Sequence, residues 1–406
     1  MKRMKILIIN CGSSSLKFRL FYVNGNEKDQ TDFEILADGI FDKIGMRGNI
    51  KFRTSNGQAN SETVEVKDHG EAVIKALKLI ESSGLLKREK IDAVGHRVVH
   101  GGNTFVEPTL INDSVIEELD DISRLAPLHN LPAVDAIKTI RKSLGSDVPM
   151  VAVFDTAFHS SMPEKAFTYA IPRDLADKHS IRRYGFHGIA HRYMAERCAA
   201  ILGKALNELK LITLQLGNGC SATAIAEGRS VDTSMGFTPL EGLIMGTRCG
   251  NIDPSLIGFL TRRENVNVER VEHWLNTQSG LLGVSGIRDM QKLLEAERGG
   301  DLRAALALDM FCYSVRKYIG AYIAALNGAD AIVFGGGIGE NSPDVRARIC
   351  CGLEWFGIVI EHGRNNTAVG TEALITEDTA TAQVYVIPVD EEVVIAQDSI
   401  RCLKPN

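Results

Sequence analysis

Apolar and polar positions along this chain follow two rhythms, and the places where the rhythm changes locate its elements. Ile6-Leu7-Ile8-Ile9 is an unbroken apolar run stopped by Asn10-Cys11-Gly12, and Leu16 to Val23 then alternates in part. That pattern predicts a strand, a turn and a returning strand. Strand-like stretches follow near Phe33–Ile40, Ile50–Thr54 and Thr63–Val66, after which Glu71–Glu81 shifts to helical spacing. Ile91–Val99 reads as a strand, the segments from Ser114 and from Pro132 as helices, and Met150–Phe154 as a buried strand ending at Asp155. Strands alternating with helices predict an α/β protein.

The second half repeats the opening. Leu211 to Leu216 is an apolar-rich strand, Gly217-Asn218-Gly219 a tight turn and Ser221 to Ala226 a returning strand, matching Ile6–Ile9, Asn10-Cys11-Gly12 and Ser13–Leu20. Copies about half a chain apart imply a duplicated domain rather than a solenoid, whose periods run about 20–50 residues. Farther on, Ala331–Phe334 runs into Gly335-Gly336-Gly337-Ile338-Gly339-Glu340-Asn341, and Pro343 suits a helix start. Val384–Ile387 is a last strand before a helix from about Glu391.

Composition then narrows the class. The 406 residues are 44% apolar and 24% charged with 38 glycines, the balance of a folded chain with room for two or three domains. The net charge of −5 contains no block of one sign, so no broad field recruits nucleic acid or anionic lipid. An anionic ligand therefore needs a local cation. No apolar run approaches the roughly 20 residues of a membrane span, and the run after the basic Met1 to Lys5 is too brief for a secretory signal. Eight cysteines without a C-x-x-C pair or zinc-finger spacing suit a reducing compartment, so a cytoplasmic location is expected.

Glycine at a strand end lets backbone N–H groups approach phosphate oxygens, and this chain has three such turns. Gly12 to Lys17 lacks the second glycine of a P-loop, and Glu340 stands where a dinucleotide fingerprint needs glycine or alanine. Three strand-end turns in a duplicated α/β frame point instead to a nucleotide held between two domains. Arg97, in Gly95-His96-Arg97-Val98-Val99-His100-Gly101-Gly102, ends a strand, where α/β sites gather. Arg248 lies in a glycine-flanked loop that can present a guanidinium without neighbouring bulk. Taken singly, each has a plainer reading: Arg97 as a surface arginine, Lys17 as part of a solvated face with Arg19, and Cys350-Cys351 as helix packing. His69, His96, His179, His273 and His362 read as structural, and residue type alone gives His129 and His187 the same reading.

The motifs become specific together. Asn10-Cys11-Gly12-Ser13-Ser14-Ser15-Leu16-Lys17 and Gly95 to Gly102 resemble the two signatures of the acetate kinase family. Ala126-Pro127-Leu128-His129-Asn130, Phe154-Asp155-Thr156-Ala157-Phe158-His159 and Arg182-Arg183-Tyr184-Gly185-Phe186-His187-Gly188 continue the resemblance. Asp232-Thr233-Ser234-Met235-Gly236, Gly336 to Asn341 and Glu391-Glu392 extend it, in order, along nearly the whole chain. The resemblance implies the duplicated two-domain fold of acetate and sugar kinases, Hsp70 and actin, which is ribonuclease H-like, with a nucleotide cleft between the domains. The implied domains are residues 1–154 with about 393–406, and residues 155–392.

The activity it implies is reversible transfer of the ATP γ-phosphoryl group to acetate, giving acetyl phosphate and ADP, with Mg²⁺ (or Mn²⁺), in a homodimer. A carboxylate is already ionised at pH 7 and needs no general base, so the catalytic problem is bringing one anion to another. By the resemblance, Arg97 and Arg248 are the cations for this, His187 hydrogen-bonds the transferring group, and His129 is a neighbouring active-site histidine. Asp155 matches an essential aspartate that orients Arg97 or a magnesium-bound water. Asn10 and Glu391 match the magnesium positions, and a hard cation that keeps its waters needs few protein ligands. Val99, Leu128, Phe186 and Pro239 match an apolar pocket for the acyl methyl group. Lys17, Gln215, Leu216, Gly217, Asn218, Gly219, Asp289, Met290, Gln291, Gly336, Gly337, Ile338, Gly339 and Glu340 match the nucleotide side.

Departures gather on that nucleotide side. Gln215 replaces a usual histidine, Gln291 a usual arginine, Gly335 a threonine, Asp390 an asparagine, and Cys249 and Asn251 a serine and an aspartate; Ser285–Gln291 looks one residue short. A propionate kinase, a relative with another phosphoryl donor, and a non-catalytic ATP-gated binding module are the alternative readings.

Overall fold

The computed structural model describes residues 3–25, 31–86, 90–123 and 127–404, and in residues 25, 31–32 and 127–129 it describes the backbone only. The chain forms two compact units, one of Met1–Ala157 with Asp390–Asn406, the other of Phe158–Val389.

In the first unit, β1 (Met4–Cys11), β2 (Leu16–Gly25), β3 (Thr31–Phe41), β4 (Arg47–Thr54) and β5 (Ala59–Glu65) form an antiparallel meander. After α1 (His69–Ser82), β6 (Ala93–Val98) lies parallel to β1; β7 (Thr109–Leu110), α2 (Asp113–Ile122), α3 (Pro127–Leu144) and β8 (Met150–Phe154) follow. The sheet order is β5-β4-β3-β2-β1-β6-β8-β7. The Ile6–Ile9 run is unbroken because both faces of β1 are covered. Leu7 and Ile9 join Ala72, Ala76, Ala133 and Ile137 in the core under α1 and α3. On the other face lies the last helix of the chain, Glu391–Leu403. It approaches so closely that a Cβ on Gly95 would lie 2.5 Å from Ser399 Oγ and 3.0 Å from Ile395 Cγ2. The sequence places a helix from Pro132; the helix starts at Pro127 instead, with Pro132 inside it. Pro127 suits the first helical position, where its missing N–H goes unneeded, and Pro132 then costs a single hydrogen bond early in the helix.

The second unit rebuilds the same frame. It opens with α4 (Glu164–Phe167), α5 (Arg173–His179) and α6 (Gly188–Leu202). Then β9 (Lys210–Leu216), β10 (Cys220–Ala226) and β11 (Arg229–Thr233) form an antiparallel meander. Next come α7 (Ser255–Arg263), α8 (Val268–Thr277), α9 (Gly280–Ser285), α10 (Met290–Arg298) and α11 (Leu302–Leu326). The strand β12 (Ala331–Gly335) leads straight into α12 (Gly336–Asn341) and α13 (Pro343–Cys350); α14 (His362–Thr367), β13 (Ala373–Leu374) and β14 (Gln383–Val386) finish the unit. The sheet order is β11-β10-β9-β12-β14-β13, with β12 parallel to β9 and β14 parallel to β12. Three antiparallel strands followed by two parallel ones, β3-β2-β1-β6-β8, recur as β11-β10-β9-β12-β14. The fold is therefore a duplicated α/β architecture. The closing helix, α15 (Glu391–Leu403), returns to the first unit.

Candidate active site

Strand register sets the first unit's polar cluster. Asn10, near the end of β1, is paired with Arg97 on β6, and Arg97 with Val153 on β8, two residues before Asp155. Three strands thus deliver their polar ends to one edge. Arg97 donates to Asp155 at two points, Nε to Oδ1 at 3.0 Å and NH2 to Oδ2 at 2.5 Å, and its NH1 donates to Asn10 Oδ1 at 3.2 Å. Glu391 Oε2 lies 3.9 Å from its Nε. Burial works against the guanidinium's charge, but the carboxylates of Asp155 and Glu391, with Glu392 behind them, outweigh it and raise its pKa above the ordinary value.

The amide of Asn10 donates from Nδ2 to Glu391 Oε2 and to Glu392 Oε1, each at 3.0 Å. Glu392 is a member of this cluster that the sequence reading assigned no role. Asp390 caps α15 by accepting from Val393 N at 3.2 Å and takes Arg19 NH1 on both oxygens at 2.7 Å. It thereby fixes the helix turn that carries Glu391 and Glu392. Lys17 sits opposite Asn10 and is exposed. His69 Nε2 bonds Gly12 O at 2.9 Å, so this structural histidine holds the first glycine turn. Asn130 clasps both the N–H and the C=O of His100 at 2.9 Å, fastening the start of α3 to the chain beyond Val99. Val99 is buried; the side chains of Leu128 and His129 lie outside the described residues.

In the second unit His187 and Arg248 converge. His187 precedes the first residue of α6 and takes a left-handed backbone, φ 58°, uncommon for a residue with a side chain. Phe186 before it is buried and held through its carbonyl, which bonds His159 Nε2 at 3.0 Å. Arg248 donates to Pro239 O at 3.0 Å and lies 3.6 Å from Met245 Sδ. No carboxylate meets it among the described residues. Burial accordingly draws its pKa down. A Cβ on Gly219 would lie 3.5 Å from Arg248 NH1 and 3.6 Å from His187 Nε2, so the turn Gly217-Asn218-Gly219 runs directly beside both. Arg183 donates to the carbonyls of Ser234 and Met235 and pairs with Glu241, anchoring the segment that leads to the buried Pro239.

Of the other proposed nucleotide segments, Gln215 precedes this turn on β9 and Gly336 lies against Leu216. Gln215 pairs with Gly335 across β9 and β12, and its buried Oε1 has no hydrogen-bond partner among the described residues. Gly336, at φ 74°, sits where a Cβ would lie 2.6 Å from Leu216 O, so only glycine fits between β9 and α12. The carboxylate of Glu340 faces inward, Oε1 accepting from Gly336 N at 2.8 Å and Val389 N at 3.0 Å. Beneath Gly337-Ile338-Gly339 the fully buried Arg346 donates to Gly339 O, Glu340 O, Asn365 O and Ala368 O at 2.6–3.2 Å and to Asn365 Oδ1 at 2.9 Å. Burial lowers its pKa to about 10. Asp289 caps α10, Met290 is buried, and the exposed Gln291 turns its amide 3.4 Å from Glu295.

A duplicated α/β frame with glycine turns beside a left-handed histidine and an arginine met by no carboxylate among the described residues suits a phosphotransferase class of site. Comparison with known proteins specifies it. The acetokinase family pattern matches residues 5–397. An acetate kinase of Chloroherpeton thalassium is 46% identical over 98% of this chain and 99% of that protein. One of Bacillus subtilis is 45% identical over 98% and 100%. The crystal structure of Porphyromonas gingivalis acetate kinase superposes with a TM-score of 0.89 at 39% identity, covering 99% of this chain and 100% of that one. A Francisella tularensis propionate kinase gives 0.89 at 37%, covering 98% and 100%. The chain belongs to the acetokinase family and is a phosphotransferase with a carboxyl group as acceptor.

Proposed function

We propose that this protein transfers the γ-phosphoryl group of ATP reversibly to acetate, forming acetyl phosphate and ADP. The observation that carries the reading is Arg248: a guanidinium bonded to a carbonyl and met by no carboxylate among the described residues, beside His187 and a glycine turn. A half-buried cation without a counter-charge is ready for an anion, and a phosphoryl group supplies one. Arg97, by contrast, is held by Asp155 and so oriented in advance. Acetate arrives ionised, so the site positions and neutralises rather than deprotonates. In this reading the transfer and acyl residues are Arg97, Asp155, His129, His187 and Arg248, with Val99, Leu128, Phe186 and Pro239. The segments 215–219, 289–291 and 336–340, with Lys17, serve the nucleotide.

Magnesium fits the hard oxygen donors of Asn10 and Glu391, with Glu392 alongside. Among the described residues no cluster of three His, Cys, Asp or Glu is placed to hold a metal. This suits an ion that keeps most of its water. When bound it would neutralise phosphate oxygens. The reading also includes a cytoplasmic homodimer. All eight cysteines are free, as in a reducing compartment, and Leu302, Leu306, Met310 and Tyr313 form an exposed apolar stripe on α11 suited to a second copy. The test is a hydroxamate assay for acyl phosphate with ATP, Mg²⁺ and acetate or propionate. Acetyl hydroxamate formation is the expected result; none from either acid overturns the reading.

A further inference from the structure

A line of four hydrogen-bonding side chains runs inside the second unit and ends on His187. Thr213 Oγ1 lies 2.7 Å from His191 Nδ1, His191 Nε2 lies 2.7 Å from Ser221 Oγ, and Ser221 Oγ lies 2.8 Å from His187 Nδ1. Thr213, His191 and Ser221 are each fully buried, so solvent completes none of their bonds. His191 is flanked by His159, ring centroids 5.8 Å apart. Burial first, then the two neighbouring histidines, keep His191 neutral, with one N–H to give.

The sense of the line follows from its far end. Among the described residues Thr213 Oγ1 has His191 Nδ1 as its one side-chain partner. Were His191 to donate from Nδ1, the hydroxyl proton of Thr213 would be buried without an acceptor, at a cost of about 1–3 kcal/mol. Thr213 therefore donates to Nδ1, His191 donates from Nε2 to Ser221, and the Ser221 hydroxyl donates to His187 Nδ1. A neutral His187 must then carry its proton on Nε2, the nitrogen beside Gly219 and Arg248.

We propose that Ser221 is a positioning residue that holds His187 as the neutral Nε2–H tautomer, its ring fixed to donate to the transferring phosphoryl group. The inference rests on the phosphotransfer reading above for the use made of that proton, but the proton's place is measurable without turnover. The experiment records ¹⁵N-histidine spectra of the full chain, with His187 assigned by its loss in His187→Gln, alongside steady-state kinetics. In the parent, His187 shows a protonated Nε2 and a bare Nδ1. In Ser221→Ala both tautomers appear and kcat falls about tenfold, one hydrogen bond's worth, while KM for ATP and acetate stays within about twofold. Ser221→Thr, which keeps the hydroxyl, restores most of kcat. Should Ser221→Ala fail to fold, Thr213→Val decides: it frees the sense of the line and gives mixed tautomers with a smaller fall in kcat. A parent His187 protonated on Nδ1, an unchanged tautomer in the folded variants, or a loss carried by KM would overturn the proposal. Absence of acyl phosphate formation by the parent would instead sink the phosphotransfer reading, and the spectra would still decide the tautomer.

Discussion

Arg97 and Asp155 meet in a two-point contact, Nε to Oδ1 at 3.0 Å and NH2 to Oδ2 at 2.5 Å, at the edge where β1, β6 and β8 end. Arg248 has no such partner among the described residues. The two arginines therefore differ in surroundings: Arg97 is pre-aimed and largely compensated, while Arg248 is met by no carboxylate among the described residues.

Replacing either arginine with alanine is expected to lower kcat about 10²-fold or more, the usual loss for one preorganised charge donor. Protection against heat by inorganic phosphate should vanish in Arg248→Ala and survive in Asp155→Asn. Near-normal turnover in both folded arginine variants would remove them from the transfer step.

Val99 is buried and belongs to the proposed acyl pocket. Val99→Ala should move kcat/KM from acetate towards propionate or butyrate by about tenfold, one methylene's worth. An unchanged or sharpened preference for acetate would show the pocket to be elsewhere.

Gln291 is exposed on the first turn of α10, its amide turned to Glu295, at a position where the resemblance leads one to expect arginine. A neutral group forgoes a charge-assisted bond, so Gln291→Arg should lower KM for ATP by about tenfold. GTP and pyrophosphate measured alongside show whether the gain belongs to the nucleotide or to phosphate alone, and no tightening of ATP would make the substitution neutral.

Arg346→Met leaves five buried oxygen acceptors without their donor. A loss of about 3 kcal/mol, a fall in Tm of roughly 6–12 °C, is expected in calorimetry. KM for ATP should rise while KM for acetate holds, because the freed carbonyls of Gly339 and Glu340 belong to the proposed nucleotide turn.

Burial holds His96 at a pKa of about 3 and His159 at about 4, and pulls His191 well below its ordinary 6.5. A base depressed in the folded state stabilises at pH above the unfolded value and loses that contribution as pH falls from about 6.5 towards the folded value. At pH 5 His96 and His159 should each have given up about 2 kcal/mol. Urea midpoints between pH 7 and pH 5 should fall, and His96→Leu should flatten the slope by one proton. An unchanged slope in that folded variant would mean that His96 titrates normally.

How much of this was legible in the sequence depended on what buries each residue. Apolar runs such as Ile6–Ile9 and Met150–Phe154 announced the central strands because hydrocarbon contact alone covers them. The strand β11 carries Ser230 and Thr233, both buried, and was not foreseen. Their burial is made good by side-chain bonds, to His159 and Thr223, that no spacing rule reports. Glu392, named in the resemblance, was given no role for a related reason. An acid in a helix's first turn already has an explanation in the helix dipole, and only the returning Asn10 amide gives it another. His191 and Ser221 left no signal of their own, since their meaning lies in a line of contacts between α6, β9 and β10.

Helix α15 covers one face of β1, β6 and β8, yet it is made only after the whole of the second unit. Between Ala157, where the first unit breaks off, and Leu403 lie roughly 250 residues, on the order of ten to fifty seconds of synthesis at about 5–20 residues per second. Throughout that interval Ile6, Ile8 and the bare backbone of Gly95 stand without their cover, while the second unit is born whole behind them. The half that begins first is finished last. Chaperone capture of the nascent chain should concentrate on that waiting sheet, and a stop codon after Val389 would yield a sound second unit tethered to a sticky, unfinished first one.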